Sequence, residues 1–285
     1  VASRGLGDVY KRQGMPCLGS RLASGKLSKA EAHTLVARDG QSLPDAWREA
    51  GLNPDLMGPD DVLLEASCFV ELHVEQGRGL ADVGHPVAIA TAVRPHGRWR
   101  AEFTGQGNHA GTTLIPDRHD PVVPMAQTIL AAREAAEREG CVTTVGRINV
   151  EPGGTNVIAS AATMWLDCRA EESQTVTKVV EDIQQASETA ADKQGCQVVW
   201  TRESWTDRTA FDLRARMLQI LGEDIPQLST GAGHDAATLA TTMPTGMLFV
   251  RNPTGASHCP AESASDADCE AGAEALQTVL EELVK

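Results

Sequence analysis

The sequence predicts an α/β domain interrupted by an inserted α+β two-layer sandwich, and three observations carry that expectation. Strand-like and helix-like runs alternate on both flanks of the chain. The stretch 94–205 reads β-α-β-β-α-β, a split βαβ layout complete in itself over about 110 residues. Third, the run 66–70 closes in Glu71-Leu72-His73-Val74-Glu75-Gln76-Gly77, a strand entering a Gly-punctuated turn, around which the flanking domain is organised.

Taken in order, residues 1–13 have neither clear periodicity nor an initiating Met and are set apart as candidate non-native read-through. Residues 14–25 are loop-like. A helix over 28–38 starts with Ser28 and Glu31 at capping-box spacing; a second, over 42–50, stops at Gly51. A loop at 53–61 leads into a strand over 63–74, and 86–92 is an almost wholly apolar strand. In the insertion, 97–105 alternates, with Trp99, Ala101 and Phe103 on one face and Arg98, Arg100 and Glu102 on the other. An Ala-rich helix (120–139), strands at 141–150 and 156–169 split by Glu-Pro-Gly-Gly, an amphipathic helix (172–193) and a strand at 197–205 complete it. Beyond it come a helix over 211–221 and a Gly-rich turn at 231–236 leading into a helical 236–240. A buried strand (245–250), a loop (251–258) and a closing helix (266–285) follow. The domains therefore run 14–92 with 206–285, and 93–205.

At 285 residues, 41% hydrophobic and 22% charged, the chain has the size and composition for two globular cores. Its net charge of −14 argues against nucleic acid or an anionic membrane as partner. No apolar run nears the roughly 20 residues of a membrane-spanning helix. The net charge does not forbid an anionic substrate, since one Arg in a pocket suffices; a small-molecule substrate is what the resemblance named below implies. Seven scattered cysteines without a C-x-x-C suit reduced thiols in the cytoplasm better than a disulfide framework or a thiolate zinc site. No stretch reads as a signal peptide.

Strand alternation puts Glu71, His73 and Glu75 on one face, a costly set to bury unless it binds a metal or polar ligand; the alternative is a solvated polar face. Neutral imidazoles on strand ends and loops are the ligands of N/O metal sites, so His73 qualifies, as does His258 in the loop after a buried strand. His234 follows Gly231-Ala232-Gly233, where backbone can approach a ligand, or it caps a helix or points to water. His109, in Asn108-His109-Ala110-Gly111-Thr112-Thr113, ends the insertion's first strand. Asn156 and Arg169 bracket its third strand thirteen residues apart, hence on opposite faces unless a bulge intervenes. Singly, Arg169 reads as a surface charge and Asn156 as a turn residue.

Together these motifs resemble one family. GSR (19–21), ELHVEQG (71–77), GNHAGTT (107–113), NVIASAATMWLDCR (156–169), GAGHDA (231–236) and FVRNPTGASHCPAE (249–262) stand in the order and rough spacing of the metal-dependent N-carbamoyl-L-amino-acid hydrolases. That group, within the M20-type metallohydrolases, also holds allantoate amidohydrolase and β-ureidopropionase; the resemblance runs from about Met15 to the C-terminus. It implies a catalytic α/β domain with an inserted lid that makes a homodimer, and two divalent metals (Zn, Mn or Co) about 3.5 Å apart. It further implies that His73 ligates one metal and His258 the other, and that His109 reaches from the partner subunit to stabilise an oxyanion. Asn156 and Arg169 bind the substrate carboxylate, and Gln76 and His234 line the pocket.

The departure is upstream of Gly19. The family pattern carries there a His-x-Asp strand end, a bridging Asp and a Glu-Glu pair that supplies the general base; the segment 10–13 stands where the Glu-Glu motif belongs. The expectation is a hydrolase of N-carbamoyl amino acids or ureido acids, N-terminally truncated and inactive as it stands. Two alternatives are allantoate amidohydrolase and, from another class, a non-catalytic dimerisation or binding module.

Overall fold

The computed structural model describes residues 15, 17–37 and 39–285. The 1–13 segment and the Arg38 end of the expected first helix fall outside them. Contact density divides the chain into one unit of residues up to Val93 together with Thr209–Lys285, and a second unit, Arg94–Arg208.

The first unit opens with α1 (Leu18–Ala23), α2 (Lys29–Thr34) and α3 (Leu43–Glu49). The expected loop over 14–25 is thus partly helical. Its glycines suggested irregular chain, but Leu22 and Leu18 join Leu27, Ala32, Leu43 and Met57 in a small apolar cluster, and that burial outweighs a Gly in the helix. Ser28 and Glu31 form the capping box, although α2 ends at Thr34. The strand expected from residue 63 starts later. Asp60 accepts the Leu63 amide and caps a single turn, α4 (Asp61–Leu64), so β1 covers only Phe69–Val74. A short helix the sequence did not announce, α5 (Gly79–Val83), precedes β2 (Val87–Val93).

The second unit holds β3 (His96–Thr104), β4 (Asn108–His109), α6 (Val122–Glu139), β5 (Val142–Glu151), β6 (Val157–Ile158), β7 (Ala161–Arg169), α7 (Ser173–Lys193) and β8 (Gln197–Thr206). Its antiparallel sheet has the order β5-β7-β3-β8, with β4 and β6 forming a separate two-stranded ladder. Trp99, Leu166, Cys168, Val176, Val179 and Ile183 fill the layer between sheet and helices. The expected strand over 156–169 is therefore two elements, and Asn156 belongs to neither.

The chain then returns to the first unit with β9 (Thr209–Ala210), α8 (Arg214–Leu221), β10 (Gln227–Thr230), α9 (Asp235–Leu239), β11 (Thr245–Val250) and α10 (Asp266–Leu283). β10 also went unforeseen; four residues are too few to give a period. The sheet runs β1-β11-β2-β10, with β1 parallel to β11, β10 parallel to β2 and β11 antiparallel to β2. It is covered on both faces. Ala88, Ala90, Met247 and Phe249 face Phe211 and Ala236, while Val87, Ile89 and Leu248 face Met217 and Val279. Among the described residues no helix is long and apolar enough to cross a membrane, and all seven cysteines are free.

Gly105 ends β3 where a Cβ would lie 2.1 Å from the His119 carbonyl oxygen and 2.8 Å from Pro121 Cδ. Gly105→Ala is expected to cost roughly 2 kcal/mol, because backbone must move, whereas Gly146→Ala, with nothing within 4 Å, is near neutral. Chemical denaturation of the two variants checks the contrast.

Candidate active site

The first unit's site grows from the C-terminal ends of the parallel pair β1 and β11, where loops leave the sheet. On β1, Val70 and Leu72 turn to the core under α10, and Glu71 and His73 turn to the other face. The His73 Nδ1–H donates to the Val74 carbonyl at 2.7 Å. That bond fixes the tautomer and leaves the Nε2 lone pair for a ligand. Edge-on against this ring, with centroids 4.7 Å apart and planes at 77°, lies His234, whose side chain is 2% exposed. Its Nδ1 is 3.4 Å from Glu71 Oε1 and its Nε2 3.4 Å from Thr230 Oγ1. The other Glu71 oxygen accepts the Ala236 amide, in the first turn of α9, at 2.7 Å. Burial would push the Glu71 carboxyl up, but the His234 and Ala236 hydrogen bonds hold it below its ordinary value. Glu71, His73 and His234 bring ligand atoms within 4.8 Å of one another, a set that could hold a metal ion.

Glu75 does not join that face. Its two oxygens accept the Gly79 and Leu80 amides at 2.7 and 2.8 Å, tying the turn to α5. The expected row of three ionisable groups is a pair on the strand and a separate helix cap. Gln76, next along, donates from Nε2 to Ser257 Oγ and to His258 Nε2, both at 3.0 Å. His258 therefore carries its proton on Nδ1 and a lone pair on Nε2, in the left-handed region at φ 57°. Its loop is braced from below. Buried Asn252 donates to the Ala256 carbonyl and accepts from Thr254, and Glu262 accepts the His258 amide at 2.9 Å.

In the second unit the β4–β6 ladder sets His109 opposite Val157, and the Asn156 carbonyl accepts the Ala110 amide at 3.1 Å. His109 is exposed. Its Nδ1 accepts the Gly111 amide at 3.1 Å, so its Nε2 bears the hydrogen and points a donor outward. Arg118 clamps the same loop through the Thr113 and Ala110 carbonyls. Arg169 sits at the opposite end of β7, eight residue steps or about 27 Å from Ala161 at the usual antiparallel rise. Its Nε and Nη2 grip Asp167 Oδ1 and Oδ2 at 2.6 and 2.9 Å, and Arg98 reaches the same carboxylate at 3.2 Å. The unit brings His109 and Asn156 together and keeps Arg169 apart from both. Sequence reasoning named Glu71 only as part of a face and passed over Thr230 and Asp167. Glu71 and Asp167 do share strand faces with His73 and Arg169, the one signal that pointed to them.

Residues 49–282 match the model of peptidase family M20/M25/M40. The chain is 36% identical over 269 residues to an N-carbamoyl-L-amino acid amidohydrolase of Geobacillus stearothermophilus, covering 91% of this chain and 65% of that protein. It is 27% identical over 277 residues to an allantoate amidohydrolase of Escherichia coli strain K12, covering 93% and 66%. The solved structure of a hydantoinase/carbamoylase family amidase from Burkholderia ambifaria superposes with a TM-score of 0.77 at 27% identity, over 95% of this chain and 66% of that one. The chain thus spans just under two thirds of the length of the relatives it matches.

Asp167 gives this geometry a pH signature. Burial alone would raise its carboxyl, but Arg169 and Arg98 hold it below the ordinary aspartate value. A depressed folded pKa contributes stability that is present above the unfolded value of about 4 and is lost as pH falls through the folded one. Asp167→Asn should therefore lower the melting temperature at pH 7. The difference from the parent should shrink as the pH is taken from about 4 downward.

Proposed function

This chain belongs to peptidase family M20/M25/M40, and on that premise we propose a metal-dependent amidohydrolase that cleaves the carbamoyl group from N-carbamoyl-L-amino acids or related ureido acids. The observation that carries the reading is His73. A β1 imidazole with Nδ1–H tied to Val74 keeps its Nε2 lone pair for a ligand, and a ring nitrogen lies within 4.8 Å of a Glu71 carboxylate oxygen. A strand-end imidazole nitrogen with a carboxylate's charge close by suits a divalent ion such as Zn, Mn or Co. His73 would hold one ion; His258, whose Nε2 lone pair here accepts from Gln76 Nε2, would hold the other by exchanging that hydrogen bond for the metal. Where bound, such ions supply Lewis acidity at the carbamoyl carbonyl and an acidified water, the products being the amino acid, ammonia and carbon dioxide.

The chain's own residues bind and orient. His109, its proton held on Nε2, donates to the oxyanion that develops on the carbonyl. Arg169 and Asn156 meet the substrate carboxylate, Arg through its planar fork. Within one chain these two stand at opposite ends of β7, too far apart for one small molecule to touch both. A homodimer formed through the second unit removes the conflict by letting each pocket take Arg169 from one copy and His109 with Asn156 from the other. Gln76 hydrogen-bonds the pocket's edge; His234, buried with both nitrogens engaged, shapes the pocket from behind. The catalytic domain would comprise 14–92 and 206–285, with 93–205 as the lid, in a cytoplasmic enzyme.

One other reading has support of its own. Likeness to the E. coli relative favours allantoate as the substrate, though the loop 251–255 looks more like the carbamoylase side.

The test joins the chain to the N-terminal segment of the Geobacillus relative and measures ammonia release from N-carbamoyl-L-amino acids with Mn²⁺ or Zn²⁺. Hydrolysis is expected there, and negligible hydrolysis from the 285 residues alone. Arg169→Lys in the joined protein should lower kcat/KM about 10- to 150-fold, the loss of a charge-assisted hydrogen bond of roughly 1.5–3 kcal/mol. His109→Ala should lower kcat with little change in KM. Turnover of allantoate alone, or of neither compound, would sink the carbamoylase reading, and a monomer by light scattering would sink the shared pocket.

A further inference from the structure

We propose that Glu71 and His234 form a positioning pair for the ion at His73: they orient its imidazole and draw the cation to it, and neither ligates the metal. The inference rests on the reading that His73 holds a divalent ion.

Three observations separate support from ligation. Only His73 among the three offers a nitrogen without a hydrogen-bond partner, its Nε2, since Nδ1 is spent on the Val74 carbonyl. Both Glu71 oxygens accept a hydrogen bond, one from the Ala236 amide at 2.7 Å and the other from His234 Nδ1, which commits the carboxylate to holding this turn. Both His234 nitrogens are also taken, by Glu71 and by Thr230 Oγ1, in a residue 4% exposed. The Thr230 hydroxyl oxygen accepts the Ala232 amide at 3.0 Å, so its hydrogen is left to donate to His234 Nε2 while Nδ1–H faces Glu71. This orders the chain Ala232 N–H, Thr230, His234, Glu71, each step donor to acceptor, and the Ala236 N–H donates to Glu71 from the other end.

That chain pins the Gly231–Ala236 turn to β1 and wedges the His234 ring at 77° against His73. With His73 fixed on one side by its own backbone and on the other by this ring, its Nε2 has one direction in which to point. The Glu71 carboxylate, within 4.8 Å of the His73 ligand atom, adds a fixed negative charge beside the cation. Groups one step behind a metal ligand typically change metal affinity 10- to 100-fold when lost.

The experiment measures Mn²⁺ binding to the 285-residue chain in a His258→Ala background, counting free ion by electron paramagnetic resonance. His73→Ala is the reference for loss of the ligand itself. Glu71→Gln, which keeps an oxygen for the Ala236 amide, should weaken binding about 10- to 100-fold with stoichiometry intact, measured at a temperature where the metal-free variant, its melting point lowered by the lost His234 contact, is still folded. Binding equal to the parent's overturns the inference. Loss as complete as in His73→Ala also overturns it, since Glu71 is then a ligand. If His73→Ala itself changes nothing, the metal reading of His73 falls and the pair falls with it. Should Glu71→Gln not fold, His234→Gln takes its place under the same outcomes.

Discussion

The in-register parallel pairing of β1 with β11 is the constraint on which the first unit's chemistry depends. Leu72 lies beside Leu248 and His73 beside Phe249, so each strand sends its apolar side chains to the faces that helices cover. Because side chains alternate with a period of two, a one-residue slip of β1 would turn Val70 and Leu72 out of the core and bury Glu71 and His73 in it. Two aliphatic side chains at about 1.5–3 kcal/mol each, and a carboxylate without partners, stand against that slip. The polar face therefore owes its geometry to the apolar one.

How much of this could be read from the sequence follows from where each signal lies. The alternation of Trp99, Ala101 and Phe103 and the helical spacing of Val176, Val179, Val180 and Ile183 are local, and the second unit's strands and helices stand close to where those patterns put them. The capping box at Ser28 was legible for the same reason. What was lost is either short or distant. α1 hides under glycines because its reason to form is Leu22 meeting Leu43 and Met57. β10 is four residues long. The contact of Glu71 with His234 joins elements separated by the whole second unit, and no local pattern records it. Alternation would keep Glu75 on the face of Glu71 and His73, but β1 ends at Val74, the backbone turns there, and the Glu75 carboxylate meets the amides of α5.

The second unit divides its two sheet faces between different physics. The inner face packs Trp99, Leu166 and Met164 against helices, and there the stabilising free energy resides. The outer face is a mesh of exposed charge. Arg98 meets Asp167, Arg100 meets Glu102, Arg147 lies 4.0 Å over the Trp165 ring, and the Trp165 indole N–H donates to Glu203. Exposed pairs of this kind contribute about 0–1 kcal/mol each and weaken with salt. Their value lies in keeping a broad antiparallel sheet face soluble and in holding Arg169, through Asp167, at a defined angle.

The insertion leaves and rejoins the first unit at a single rung. Val93 and Thr209 face each other across the β2–β9 ladder, with Ala92 opposite Ala210 behind them, and the second unit's 115 residues from Arg94 to Arg208 hang between those two positions. Cross-strand neighbours stand about 5 Å apart, the span that a two-residue hairpin turn closes. The host sheet is thus continuous in space although broken in sequence. A protein engineer could replace everything between the two residues with Asn-Gly, or with an unrelated domain whose ends lie equally close. Neither change would ask the first unit to part with a strand.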